Sequence, residues 1–543
     1  MKKISLTNTA IIINNYDLGD CTQLERRFQI YDRTTHSKYF MGVHYDEPNK
    51  KLYLPRGIDI WFVQNCLGEP DHEQIPCTLY KRFDNVSIKK LPRDDVQKEA
   101  LRFMLGKQEY RSNADKGQIS VNLNTGKGKT YVTIATMAFL GMRSIVITDS
   151  VGWLEQWKDK TLEYTDIDSK DICHVVGSSG IFRLMNYTDE QLEHYKLFLV
   201  THDTIQSYGN NYGWDKVTEF FEKLQIGIKI YDEAHLDFDN MCKIDFYTNV
   251  FKTYYLTATP AKSSEEENKI FQLFFKNIPA IDLFNEEEDP HTKYVAIQFN
   301  SNPSPVDISN AKNQYGLNRQ AYIDYLVRQP NYYKLLTVLL DLSLKLAKKE
   351  DEKILIYIGT NNAILTTYYW IIENFPELGN QIGIYSSAVE PNKKQYALSK
   401  KVILSTTKSA GAALDLAGLK VTVVLDEPFR SEVIARQTLG RTRDPNTFYL
   451  DVVDKGFKQC MKFYYSKLPI FQKYATDCSV IRLSSKELDQ RYNTILANRA
   501  EFMYQYTLHA FRIVDETYEQ RAFSIIPEGE EIRAFTVAKN TNP

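Results

Sequence analysis

The sequence predicts an α/β protein with two parallel-sheet domains in tandem, a small β-rich domain before them and a C-terminal extension after them. Three observations predict it. Short apolar runs alternate with helical patterns over most of the chain, and an acidic, Asn- and Pro-rich stretch from Asn285 to Ser304 interrupts the alternation once. The third is the glycine-containing stretch Asn122-Leu-Asn-Thr-Gly-Lys-Gly-Lys-Thr130, placed between a strand-like and a helix-like run. At 543 residues the chain exceeds one typical core, and it divides into 1–88, 89–290, 291–478 and 479–543.

Residues 1–88 read as β-rich, with β-branched or alternating runs at Thr9 to Ile13, Arg27 to Tyr31 and Lys51 to Leu54 broken by Asn, Gly and Pro. A helix opens after Leu91-Pro-Arg, with Asp94 or Asp95 as N-cap and Gln97, Ala100, Leu101 and Met104 at helical spacing. Strands follow at Gln118 to Val121, Ser144 to Ile147, Leu197 to Val200, Ile226 to Ile230 and Tyr254 to Leu256. Helices lie between them at Tyr131 to Leu140, Trp153 to Lys160 and Asp215 to Leu224. The run Tyr294 to Phe299 falls inside the interruption, where the domain boundary is placed. A long amphipathic helix, Tyr332 to Lys348, then opens a second series. Its strands are Lys353 to Ile358, Ile382 to Tyr385, Lys401 to Ser405, Val421 to Leu425 and Thr447 to Val453, with helices at Ala363 to Asn374 and Ser431 to Leu439. The second series has no phosphate loop, no short-period repeat is evident, and the tail begins with a charged helix, Lys486 to Ala510.

Composition bounds the function. A net charge of −2 excludes a uniformly basic binder, so a nucleic-acid surface would be a local patch. The seven cysteines are scattered without a C-x-x-C pair, which argues against zinc modules and iron–sulfur clusters and for a reducing compartment. Ile11-Ile-Ile13 is too short for a signal core and no apolar run approaches membrane-spanning length. The expected location is cytoplasmic, the host cytoplasm if the chain is phage-encoded.

The glycine loop has the chemistry of a phosphate cradle. Gly126 and Gly128 let backbone N–H groups turn inward, Lys129 reaches the β- and γ-phosphates, the Thr130 hydroxyl can ligate Mg²⁺, and Thr125 and Lys127 complete the turn. Leu123 stands where the general pattern has its first glycine. About a hundred residues on, the apolar run from Ile226 ends in Asp232-Glu-Ala-His235. Paired carboxylates at a strand end suit a nucleotide motor: Asp232 holds Mg²⁺ and Glu233 polarises the attacking water.

Together these stretches resemble motifs I and II of the DEAH-box type of helicase superfamily 2. Later segments resemble the family in order: Leu256-Thr-Ala-Thr-Pro260 motif III, Thr148 to Trp157 motif Ia, Val200 to Thr204 a phosphate-contacting segment, Ile356 to Thr360 motif IV, Leu404 to Asp415 motif V and Gln437 to Arg443 motif VI. The resemblance covers roughly residues 91–455 and implies two RecA-like domains, ATP with Mg²⁺ between them and DNA across their top. It makes Gln97 the adenine-reading glutamine, places Asp415 with the nucleotide-binding set and Gln437 with the catalytic set, and makes Arg441 the arginine finger. The family's second arginine stands three residues after the first, but position 444 is Asp and Arg443 is two away. Either the helix ends early and Arg443 turns inward, or one finger is lost; Pro445 favours the first. The segment around Leu52-Tyr-Leu-Pro-Arg-Gly57 is most similar to the phage UvsW-like branched-DNA helicase group. That implies remodelling of forks, D-loops or Holliday junctions in phage replication or recombination, with the N-terminal domain engaging DNA. An RNA helicase of the same superfamily and an ATP-gated nucleic-acid clamp are the alternatives.

Overall fold

The computed structural model describes residues 3–17, 19, 22–32, 37–69, 71–83, 86–123, 128–257, 265–283, 292–313, 316–410, 416–426, 435, 438–439 and 446–499. At the N-terminus, β1 (Lys3–Leu6) and β2 (Ala10–Asn14) pair antiparallel, and β3 (Gln29–Asp32) and β4 (Ser37–Phe40) form a hairpin. β1 and β2 join β5 (His44–Asp46), β6 (Lys51–Pro55) and β7 (His72–Gln74) in a five-stranded sheet in the order β5-β6-β2-β1-β7, apart from the hairpin. The strand expected over Arg27 to Tyr31 starts later. Arg27 and Phe28 close a helix, Thr22–Phe28, because Leu24 and Phe28 lie four apart and bury one helical face.

This sheet shares its core with the domain that follows. Ile11, Ile13 and Leu54 belong to one apolar cluster with Phe238, Met241 and Cys242. Polar contacts hold the same seam. The Thr9 hydroxyl is within hydrogen-bonding distance of the Asp245 and Thr248 carbonyls (2.8 and 2.9 Å), and Asn8 Nδ2 donates to those of Val250 and Phe251 (3.0 and 3.2 Å).

The next sheet consists of β8 (Gln118–Asn122), β9 (Ser144–Thr148), β10 (Ile172–Val175), β11 (Leu197–Thr201), β12 (Ile228–Tyr231), β13 (Lys252–Thr257) and β14 (Ala280–Asp282). All its pairings are parallel, in the order β10-β11-β9-β12-β13-β8-β14. β8, β9, β11, β12 and β13 are buried along their whole length, as strands covered by helices on both faces must be. The helix Trp214–Leu224 shows how: Val217, Phe220, Phe221 and Leu224 form one buried stripe.

After the hairpin of β16 (Lys312–Asn313) and β17 (Gly316–Leu317), a second sheet is assembled around a strand that precedes it, β15 (Thr292–Phe299). Its other strands are β18 (Lys353–Tyr357), β19 (Ile382–Tyr385), β20 (Val402–Ser405), β21 (Leu419–Val424), β22 (Thr447–Asp454) and β23 (Asp477–Arg482). It too is wholly parallel, in the order β19-β20-β18-β21-β22-β15-β23. Numbering the seven strands of each sheet along the chain gives the same order twice, 3-4-2-5-6-1-7. The chain is therefore α/β, with two RecA-like sheets in tandem behind a small N-terminal sheet. The run Tyr294 to Phe299, expected only as part of an interruption, is the first strand of the second sheet and lies between β22 and β23. Of the expected tail helix, 485–499 is helical and 500–510 lies outside the described residues, as does most of Ser431 to Leu439. No helix among the described residues is long and apolar enough to cross a membrane.

One face of the first sheet carries a buried polar network. Lys229 on β12 pairs with Asp245 at 2.5 Å with both side chains fully buried, and Tyr231 and Tyr255 donate to the two oxygens of the same carboxylate (2.8 and 2.5 Å). Removing one partner of such a pair strands the other in a low-dielectric core. Lys229→Ala is expected to destabilise the chain by about 3–5 kcal/mol. Urea denaturation followed by circular dichroism checks this, and an unchanged midpoint would refute it.

Candidate nucleotide site

Parallel strands present their C-terminal ends on one edge, where loops and helix N-termini gather. β8 runs into the glycine loop, β12 runs into Asp232 and Glu233, and β13 lies between β8 and β12. The two motifs are thus one strand apart despite about a hundred intervening residues. Lys129 opens the helix Lys129–Leu140, with Thr130 next on its first turn, and Gly128 is its N-cap in a left-handed conformation (φ 92°).

The geometry joins these groups. Lys129 Nζ donates to Glu233 Oε1 at 2.6 Å, with both side chains almost removed from solvent (10% and 5% exposed). The Asp232 backbone N–H donates to the Ile147 carbonyl (3.1 Å) and that of Ala234 to Leu256 (2.9 Å), so the turn after β12 is tied to both neighbouring strands. Between them Glu233 is left-handed (φ 51°), a strained conformation for a side-chain-bearing residue that costs of order 1–3 kcal/mol. His235 Nδ1 is 2.9 Å from Thr257 Oγ1 at the end of β13 and 3.5 Å from Glu233 Oε2. Burial, and then the Glu233 charge beside it, push the Asp232 carboxyl up to about 6, against the pull of Lys129 and of the Trp157 N–H.

Gln97 approaches from the helix Asp95–Leu105. The Asp94 carboxylate caps that helix by accepting the Gln97 N–H (2.9 Å), and Gln97 Oε1 accepts the Arg93 N–H (2.8 Å). The Gln97 amide then packs on Gly128: a Cβ there would lie 2.3 Å from Gln97 Nε2. Gln97, Gly128, Lys129, Asp232 and Glu233 are therefore brought into one neighbourhood. Thr125, Gly126, Lys127, Asp415, Gln437, Arg441 and Arg443 lie outside the described residues.

Among the described residues no group of three or more His, Cys, Asp or Glu converges on a metal position. One carboxylate (Asp232) and one hydroxyl (Thr130) are hard oxygen donors of the kind Mg²⁺ uses when phosphates and water fill its remaining positions. The residues present fit that ion, and would hold it against the phosphates of a nucleotide.

Residues 90–262 match the family model described as the res subunit of type III restriction enzymes, ResIII. They span both motifs and β8 to β13. This part of the chain is similar to the motor segment of that family. A putative DNA 3'-5' helicase Rad25 of Haloarcula marismortui is 24% identical over 148 residues, which is 27% of this chain. The match spans only 21% of that relative's length. Two solved structures are similar at low identity. Saccharomyces cerevisiae Dbp5 bound to RNA and ADP BeF3 has a TM-score of 0.48 and 14% identity, covering 74% of this chain and 92% of that one. T4 UvsW has a TM-score of 0.33 and 13% identity, covering 88% and 99%.

The first RecA-like domain also contains a contact that the motif pattern does not reveal. Trp157, buried on the helix Val151–Tyr164, donates its indole N–H to Asp232 Oδ2 at 2.8 Å. In the segment Val200 to Thr204, the Thr201 hydroxyl caps the helix His202–Tyr212 and shares a 2.9 Å hydrogen bond with Thr204 Oγ1.

Gly128 is doubly constrained, by its positive φ and by the Gln97 amide. Gly128→Ala is expected to weaken binding of a fluorescent ATP analogue roughly tenfold or more, since about 1–2 kcal/mol of backbone strain adds to the clash. Titration of the analogue reads this, and wild-type affinity would show that the loop does not bear on the nucleotide.

Proposed function

We propose that the chain is an ATP-dependent DNA helicase or translocase that remodels branched DNA. The observation that carries this reading is the 2.6 Å contact between Lys129 and Glu233, with Gln97 against Gly128 at the same strand ends, inside a ResIII-type motor domain. A lysine resting on the water-activating carboxylate is a pair poised to separate. When a nucleotide enters, its γ-phosphate takes the ammonium and Glu233 is released to orient water.

In this reading ATP binds across the two RecA-like sheets. Gln97 reads adenine; Thr125, Gly126, Lys127, Gly128, Lys129 and Thr130 cradle the phosphates, and Asp415 lies with them. Thr130 and Asp232 would hold Mg²⁺, which would supply charge neutralisation at the transferring phosphoryl group. Arg441, with Arg443 and Gln437 beside it, completes the site from the second domain and stabilises transition-state charge. Opening and closing of the cleft moves the chain along phosphates, which are gripped without base reading. The choice of DNA is supported by the name of the archaeal relative, a putative DNA 3'-5' helicase. The choice of branched substrates, and of a role in phage replication or recombination, is supported by the similarity of the Leu52 to Gly57 segment to the UvsW-like group.

ATPase stimulation and unwinding compared across branched DNA, linear duplex, single strand and RNA test the substrate. Branched DNA is expected to stimulate most, and stronger stimulation by RNA would replace DNA by RNA in this reading. Lys129→Ala is expected to abolish nucleic-acid-stimulated turnover, and Glu233→Gln to retain ATP binding while hydrolysis falls by two orders of magnitude or more, roughly the contribution of a positioned general base. Wild-type turnover in either variant would sink the motor assignment. For the second domain, Arg441→Ala and Arg443→Ala are both expected to slow turnover, by about 10³-fold or more for Arg441; an Arg443→Ala rate equal to wild type would leave one finger only.

A further inference from the structure

Asp232 has to do more than carry a charge. A carboxylate can rotate about its Cβ–Cγ bond, so a metal-facing oxygen has to be selected by whatever grips the other one. Lys129 does not do this, because its ammonium is on Glu233. Among the described residues, the side-chain donor to Asp232 is Trp157, whose Nε1–H meets Oδ2 at 2.8 Å, with the indole only 2% exposed. The indole has one polar atom, a donor with no acceptor capacity, so it favours the ionised carboxylate, as does the Glu233 backbone N–H that also donates to it, and it holds Oδ2 turned into the core.

The packing fixes that donor. Trp157 lies on the helix Val151–Tyr164, buried with Leu154 in the apolar cluster that also holds Val146 of β9 and Ile230 of β12. Phenylalanine would fill most of the same apolar space, and the N–H is what it would lack.

We propose that Trp157 is a positioning residue for the metal site: it locks Asp232 with Oδ2 turned inward and Oδ1 presented to the Mg²⁺ of a bound nucleotide. This rests on the nucleotide-site reading above. Partners that orient metal-binding side chains are worth roughly 10–100-fold in metal affinity.

The test is a Mg²⁺ titration of the binding of a fluorescent, non-hydrolysable ATP analogue to the full chain. Trp157→Phe is expected to raise the Mg²⁺ concentration for half-maximal binding roughly tenfold or more, with analogue binding in EDTA unchanged. Because Phe also removes packing atoms, the same titration is made with benzothienyl-alanine at position 157, which replaces the indole N–H by sulfur at nearly constant shape. The same shift is expected. A wild-type Mg²⁺ dependence in the benzothienyl variant overturns the inference. So does an equal loss with and without Mg²⁺, which marks a packing role. Failure of the wild-type chain to bind the analogue in either condition overturns the nucleotide-site reading itself.

Discussion

Two carboxylates side by side at the buried end of a strand are the constraint on which the first domain depends. Asp232 and Glu233 are 8% and 5% exposed, and a buried charge is costly unless paired. The fold answers each with a different group. Glu233 is swung out by its left-handed backbone onto the Lys129 ammonium, and Asp232 is turned the other way onto the Trp157 indole. Neither donor is local: the lysine comes from the helix after β8 and the indole from the helix after β9. A strand order that puts β12 between β9 and β13, with β8 beyond, delivers both. Burial still pushes the Asp232 carboxyl up to about 6, so the compensation by the indole and by Lys129 is partial.

The second sheet shows the same plan with different partners for its buried acid. In the first sheet Tyr231 pairs with Ile147, and in the second Val424 pairs with Tyr357, so two residues after each strand end Glu233 corresponds to Asp426. Asp426 is buried, and burial pushes its carboxyl up to about 6. It is satisfied by the Gly359 N–H (2.8 Å) and the Tyr332 hydroxyl (3.0 Å), where Glu233 has a lysine. Tyr332 lies near the start of the helix Pro330–Leu346, which leads into β18 as Lys129–Leu140 leads into β9. Ten residues beyond Tyr357 is Thr367, hydrogen-bonded to Tyr332 (3.2 Å), as Trp157, ten beyond Ile147, is bonded to Asp232. A neutral hydroxyl in place of an ammonium makes this second acid a tie between β21 and the Gly359 turn.

How much of this was legible in the sequence follows from what each signal depends on. That Lys129 and Asp232-Glu233 meet was legible because a glycine loop and an acidic pair, each at a strand end of an alternating strand and helix pattern, are expected on one edge of a parallel sheet. The alternation of strand and helix was legible because strands covered on both faces are apolar throughout. β15 was harder, since Tyr294 to Phe299 is embedded in acidic, Asn-rich text whose composition outweighs a six-residue run. The duplicated strand order left no repeat in the sequence, because backbone register repeats while side chains do not. The helix ending at Phe28 was masked by the β-branched and aromatic residues next to it. Trp157 was visible as a residue of the motif Ia-like segment but not as a partner of Asp232, because the contact is made across 75 positions by strand order alone.

The distribution of apolar clusters sets which parts can move together. Ile11 and Leu54 of the N-terminal sheet share a cluster with Tyr231 and Tyr255 of the first RecA-like sheet, and the remaining residues of that domain pack around Ile230 and Leu256. The clusters of the second sheet begin at Tyr294 and Ile297 and contain no residue of the first. Asp245 strengthens the first grouping from within: its backbone carbonyl is near the Thr9 hydroxyl while its carboxylate closes the Lys229 ion pair, three residues before Asp232 on the same strand end. Separating the N-terminal sheet from the first domain would therefore expose a continuous core and disturb the strand that carries the acidic pair. Among the described residues the two RecA-like sheets share no apolar cluster, so each sheet is stabilised by its own core, the first one together with the N-terminal sheet.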